Sequence, residues 1–191
     1  MLDLDFRDAH NSPGIIPRFS GRDVSVRSFL PADQLAATWL YREGLLAGQV
    51  DPNDAAADLA DIKAAYFGRP QDHFWVAEAA TEVVGTVAIT IDDQQAGHLR
   101  RLRVAPGWRE SGHTACLLVE TAMAHAREHA CLKLVLHTLL DDKRAVALLH
   151  QHGFEFSRSR DLSGRHQLEF YANLYTTPTP THSADEHGPL V

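Results

Sequence analysis

Leu99-Arg100-Arg101-Leu102-Arg103-Val104-Ala105-Pro106-Gly107-Trp108-Arg109-Glu110-Ser111-Gly112-His113-Thr114 decides the fold. A strand ends in a Pro/Gly loop, and the loop enters a helix. Such a loop exposes successive backbone N–H groups at the positive end of a helix dipole, where phosphates bind well. Gly112 lets the backbone approach an anion closely, and Arg109 adds a permanent charge with paired donors. These residues alone leave two readings open: a phosphate site, or an ordinary strand-to-helix turn whose arginines are solvated.

Downstream of this stretch, a long helix is expected from about Gly112 to His129, then a buried strand Leu132–Thr138 and a helix at about Asp142–His152. Two closing strands, Phe154–Arg158 and Gln167–Leu174, flank the turn Ser163-Gly164. Upstream, three strands follow closely: Phe74–Ala79, Val83–Ile91 and His98–Val104, the last two separated by Asp92-Asp93-Gln94. Val24, Val26 and Phe29 suggest a first strand. Pro31-Ala32-Asp33 opens a helix with Leu35, Trp39 and Leu40 on its face, and a second helix is expected near Asp54 with the stripe Leu59, Ile62, Tyr66. Strands with interspersed helices make an α/β or α+β domain with a largely open sheet. The domain is expected over residues 21–175, after a loose arm (1–20, with the turn signal Asn11-Ser12-Pro13-Gly14) and before a polar, disordered tail (176–191).

The bulk numbers fit one domain. The chain has 191 residues, 45% apolar and 23% charged, with a net charge of −7. That charge argues against a general nucleic-acid binder. Apolar runs are broken well short of the about 18–20 residues a membrane span needs. The acidic N-terminus Met1–Asp8 has no apolar signal core, so a cytoplasmic protein is expected. If Cys116 and Cys131 share one helix they stand about 22 Å apart, beyond the reach of a disulfide.

Val104-x-Pro106-x-Trp108-Arg109-x-x-Gly112-His113-Thr114, followed by Leu117-Leu118, resembles the acyl-CoA-binding signature of the GNAT superfamily of N-acetyltransferases, Arg/Gln-x-x-Gly-x-Gly/Ala. Arg109 and Gly112 match; Thr114 stands at the final Gly/Ala and keeps its own N–H. Ala145–Phe154 is similar to the family's later helix, which ends in Leu-Tyr-x-x-x-Gly-Phe, with Leu149 in the place of the Tyr. The resemblance covers about residues 22 to 174 in element order. It implies a mixed, mostly antiparallel twisted sheet of about six to seven strands with helices on both faces. It also implies acetyl-CoA as co-substrate, no metal, and direct attack of a primary amine on the thioester. The cofactor-binding residues carried over are Leu102, Arg103, Val104, Arg109, Glu110, Ser111, Gly112, His113, Thr114 and His150. A backbone N–H near Leu102–Val104 would stabilise the oxyanion where the sheet splays, which needs no special side chain.

Relatives often place a carboxylate base on the fourth strand; the residue here is His98, and imidazoles titrate in the range a general base needs. Glu78 is the second candidate base. With Leu149 at the usual acid position, the resemblance leaves three routes open: His150 or water protonates the sulfur, or the thiol leaves as thiolate, with a solution pKa of about 8.5, and no acid is needed. Asp51, Asp54, Asp58 and Asp61 either attract a cationic amine or satisfy a helix dipole, and substrate selectivity is expected from residues 31–67 and 159–166. The expected partners are an amine substrate, no nucleic acid and no membrane, with a homodimer allowed. His125-Ala126-Arg127-Glu128-His129 matches a zinc-peptidase pattern, but its helix starts at the phosphate loop and buries Leu118, Ala122 and Ala126. The alternative from another class is a catalytically degenerate CoA-binding module, which Thr114 and Leu149 favour.

Overall fold

The computed structural model describes residues 24–43, 56–138, 143–162 and 165–175. The expected arm and tail, Asp51, Asp54, Asp142 and the turn Ser163-Gly164 lie outside the described residues. The strands are β1 (Val24–Ser28), β2 (His73–Ala79), β3 (Glu82–Ile91), β4 (Ala96–Val104), β5 (Lys133–Thr138), β6 (Glu155–Leu162) and β7 (Arg165–Asn173). They form one seven-stranded sheet in the order β1-β2-β3-β4-β5-β7-β6. Among the described pairs only β4 and β5 run parallel. A parallel pair needs a crossover, and α3 (His113–Glu128) supplies it. The other helices are α1 (Gln34–Glu43), α2 (Ile62–Tyr66) and α4 (Lys143–Gln151), with 3-10 turns at Pro31–Asp33, Ala57–Leu59 and Pro106–Trp108.

Each face of the sheet has its own core. Leu118, Val119, Ala122, Met123 and Ala126 recur at helical spacing and set α3 against Ala77, Ile89, Leu99, Val104 and Leu134. On the opposite face Ala37, Tyr41, Leu59, Ile62 and Tyr66 cover Phe74, Val76 and Ala88. β3, rich in β-branched residues and buried over most of its length, lies between the two. The mostly antiparallel sheet with helices on both faces is the expected architecture.

Four local readings are corrected. Leu35 (84% exposed) and Trp39 (50%) lie off the buried stripe of α1, which is Ala37, Leu40, Tyr41, spaced i, i+3, i+4. The second helix is broken: Asp61, at φ −145°, leaves helical geometry and restarts α2 by accepting the Ala64 N–H at 2.9 Å. Leu132 is exposed and precedes its strand, and β6 runs on to Leu162, so residues 159–162 are strand, not loop. Cys116 lies on α3 and Cys131 beyond its end; both are free thiols.

Candidate functional site

β4 ends where the Ala105 N–H donates to Val84 O at 2.8 Å. Pro106 opens a 3-10 turn closed by Trp108 N–H to Ala105 O at 2.9 Å. Arg109 turns back and donates from Nε to Val104 O at 2.9 Å, which ties the loop to the strand it left. Gly112 caps α3 at φ 67°, with open space where a side chain would stand. The His113 N–H donates to Ser111 Oγ at 3.3 Å, while His113, Thr114 and Ala115 all start a 16-residue helix with no intrahelical acceptor available to them. Glu110 is exposed at the loop's outer side. An anion fits this open, left-handed entry to a long helix.

Thr114 points the other way. It is 1% exposed, its hydroxyl is buried without a hydrogen-bond partner, and its methyl lies 3.2 Å from where a Cβ on Gly85 would be. Its side chain packs under α3 against the sheet, and only its backbone is offered to the loop.

β4 bends before the loop. Its pairing with β3 steps from Ala88↔Arg100 to Thr86↔Arg103, so β4 carries one extra residue, a bulge. Arg101 holds it, at φ 54°. Pairing of β4 with β5 stops at Leu99↔Leu136, although β4 continues to Val104. The sheet therefore opens beside the bulge, between Arg100–Val104 and the end of β5. Leu102 and Val104 turn toward the α3 core, and Arg101 and Arg103 toward α1.

The arginines do not act as one basic cluster. Arg101 is buried and grips Asp58 through Nε (2.9 Å to Oδ2) and a second nitrogen; Asp58 also accepts the Tyr66 hydroxyl. Both arginine guanidinium groups lie over the Tyr41 ring, at 5.0 Å for Arg101 and 5.4 Å for Arg103, and Arg103 donates to Leu102 O at 2.8 Å. Burial pushes the Asp58 carboxyl up, but the bonds from Arg101 and Tyr66 outweigh it and hold the carboxyl below its ordinary range. Burial and Asp58 together raise the Tyr66 phenol. Asp58 is thus committed to Arg101, and Asp61 to its helix cap; neither is a free attractor for a cationic amine.

His98 lies three residues before the bulge, about 10 Å along the strand at about 3.3 Å per residue, in the part of β4 still paired with β5. Its Nε2 meets Asp92 Oδ2 at 3.0 Å. Glu78 is two strands away on β2 and accepts from Arg27, which also bridges Asp33 at 2.7 Å. The structure does not bring the two candidate bases together. Leu149 is a core residue at 2% exposure, and neighbouring His150 is exposed beside the Phe170 ring. Helix α4 ends as its sequence implies: Gly153 at φ 77°, with Phe154 N–H returning to Leu149 O at 2.9 Å. In the zinc-like motif His125 Nε2 donates to Gln71 O at 2.9 Å and His129 Nδ1 to His125 O at 3.0 Å, so the two rings stack at 4.1 Å and serve packing.

The sequence matches the acetyltransferase (GNAT) family over residues 36–154, more than half of the chain. The chain belongs to the GNAT family of acetyltransferases. Rat N-acetyltransferase 8 is 36% identical over 119 residues, 58% of this chain and 53% of that protein. The chain spans about half the length of the curated relatives it matches. Among solved structures, a GNAT-family acetyltransferase from Staphylococcus aureus Mu50 superposes with a TM-score of 0.68 at 17% identity, covering 79% of this chain and 99% of that one. The yncA protein of Salmonella typhimurium, solved with acetyl-CoA, gives 0.68 at 18% identity, covering 84% and 99%. No helix among the described residues of this GNAT chain is long and apolar enough to cross a membrane. What the sequence did not disclose is the pairing of Asp58 with Arg101, the Tyr66 hydroxyl on the same carboxylate and the Tyr41 ring beneath both arginines, together with the conformation of Arg101. A left-handed arginine inside a strand leaves no local signal, because the residues that mark such sites are glycine and asparagine.

Proposed function

We propose that this GNAT domain transfers an acetyl group from acetyl-CoA to a primary amine by direct attack. The observation that carries the reading is the placement, at one end of β4, of a bulged opening in the sheet and the open N-terminus of α3. The residues fit the co-substrate: Gly112 leaves room before the helix, and Thr114 keeps its side chain out of that room. Acetyl-CoA supplies an activated thioester and a good leaving group. The N–H groups of His113 and Thr114 bind the phosphates, helped by Arg109, while the Gly112 N–H is given to Arg109 O at 3.2 Å and Gly112 contributes by leaving room. The N–H groups near Leu102–Val104 polarise a carbonyl held in the opening. His98, oriented by Asp92, accepts the amine's proton through water, since the strand places it too far for direct contact; Glu78 is the second candidate. Water or His150 protonates the sulfur, because Leu149 has no proton to give.

Thiol release from acetyl-CoA, measured across a panel of primary amines at saturating donor, tests the reading. Turnover with at least one amine is expected. Tight CoA binding with no turnover on any amine would instead identify a binding module. Arg109→Ala is expected to weaken CoA about tenfold, the worth of one charge-assisted hydrogen bond, with little change in kcat at saturation. Unchanged affinity would remove Arg109 from the phosphate site.

A further inference from the structure

Of the five described non-glycine residues with positive φ, Ala56, Ala80, Gln95 and Ala130 sit in turns or beside helix ends, and only Arg101 lies inside a strand. Arginine gains nothing from that conformation, so neighbouring contacts must hold it. They do so at both ends of the residue. The Arg101 carbonyl accepts the Thr86 hydroxyl at 2.8 Å, deep in the sheet. The Arg101 side chain, 5% exposed, makes a two-point grip on Asp58, itself 17% exposed, with the Tyr66 hydroxyl on the same carboxylate. Asp58 belongs to the 3-10 turn Ala57–Leu59, which Gln34 of α1 fastens by donating to Leu59 O at 2.7 Å. A chain of specific bonds thus runs from the helices over one face of the sheet to the β4 backbone at the opening.

We infer that Arg101, Asp58 and Tyr66 form a positioning lock that holds the β4 bulge so that the N–H groups following it face an acyl carbonyl in the opening. The inference rests on the proposed acetyl-donor site and goes beyond it. Arg101 touches neither acyl group nor amine; it acts through the backbone of Leu102 and Arg103. The grip also joins the bulge to the helical layer on the α1 side. A shift of the Ala57–Leu59 turn is therefore passed to the residues that polarise the carbonyl. The bidentate fork needs guanidinium geometry, which lysine lacks.

Three variants separate this role from simple support. Arg101→Gly accepts the left-handed backbone without cost but removes the grip. Asp58→Asn keeps the shape and removes the charge. Tyr66→Phe removes one hydroxyl and leaves both charges paired. Affinities for acetyl-CoA and for CoA, measured by calorimetry, report on the bulge without requiring turnover. The wild-type protein is expected to prefer acetyl-CoA. In Arg101→Gly and Asp58→Asn that preference falls about tenfold, the worth of one hydrogen bond, while CoA affinity stays within about twofold. Their kcat falls about 10²-fold, as for a misplaced catalytic group, and Arg101→Lys recovers only part of the loss. Tyr66→Phe, with an about threefold loss of preference as for half a hydrogen bond, decides the matter if the other two do not fold. Wild-type indifference between the two ligands overturns the inference, as does an unchanged preference in the folded variants. A lock-dependent preference in a protein that acetylates no amine removes the proposed function and leaves the inference standing.

Discussion

At the scale of single residues, Gly112 and Thr114 divide the labour of one turn of helix. Gly112 occupies a left-handed position with empty space before it, so a side chain there costs backbone strain and, at the proposed donor site, would intrude on a bound phosphate. Gly112→Val is expected to weaken CoA binding by about 10²-fold or more, the sum of a lost close approach and about 1–3 kcal/mol of strain. Calorimetric titration of the folded variant checks it, and normal binding would reduce the loop to a turn. Thr114 faces the sheet with an unpartnered hydroxyl. Thr114→Val keeps the shape and deletes that group, so thermal stability is expected to hold or rise with CoA affinity unchanged; a clear fall in Tm would show that the hydroxyl has a partner. His98 stands on the closed part of the strand, joined to Asp92. If it relays the proton, His98→Ala lowers kcat/KM near neutral pH, and the loss shrinks as pH rises because more of the amine is already neutral. Parallel pH profiles with equal rates for both proteins would leave water as the base.

At the scale of elements, the sequence was most legible where a periodic pattern met turn chemistry. The strand–loop–helix passage from Leu99 to Thr114 and the Gly153 cap of α4 stand within a residue or two of their expected limits. Legibility failed where distant contacts decide. The exposed side of α1 carries Leu35 and Trp39, which hydrophobicity alone assigns to the core. Asp58 read as a dipole partner or an amine attractor because its true partner, Arg101, lies 43 residues away. The contacts made at the Arg101 bulge come from Thr86 and Asp58, and no short window of sequence contains all three. Close approach of α3 to the sheet was equally hidden. A Cβ on Gly85 would meet Leu118 Cδ1 at 2.9 Å and the Arg103 carbonyl at 3.0 Å. The backbone neighbour cannot yield as a side-chain tip can, so Gly85→Ala is expected to push α3 and β4 apart. A cost of about 1–3 kcal/mol follows from overpacking, read as a fall of several degrees in Tm, with weaker CoA binding because both walls of the site move. An unchanged Tm would mean that Leu118 and β4 adjust freely.

At the scale of the whole molecule, the two cores respond to acid through groups outside the proposed site. His73, at the start of β2, and His125, on α3, crowd around Trp75 with ring centroids 5.5 Å apart, and His129 stacks on His125. Burial holds the imidazoles of His73 and His125 below their ordinary range, and the neighbouring imidazoles add to it; for His125 the bond to Gln71 O, then Glu128 and Asp72, pull the other way without cancelling it. In the unfolded chain these imidazoles titrate near about 6.5. As pH falls through that value the unfolded state takes up protons first, so stability present above about 6.5 is lost below it. Glu169, on β7, behaves in the same direction at lower pH. Arg158 above all, with His137, holds its carboxyl down to about 2, so its contribution is lost between about 4.5, the usual carboxyl value, and that limit. The molecule is therefore expected to lose stability on acidification in two separated windows, the upper belonging to the α3–β2 contact and the lower shared by Glu169 at the β6–β7 edge with Asp33, Asp58 and Asp92, whose carboxyls are also held below their ordinary range. Tm measured from pH 8 to pH 3 tests this. His125→Gln, which keeps a donor for Gln71 O and cannot take up a proton, flattens the upper window and leaves the lower one in place. An upper window with the same slope in both proteins would place the acid sensitivity elsewhere and leave the histidine stack as packing alone.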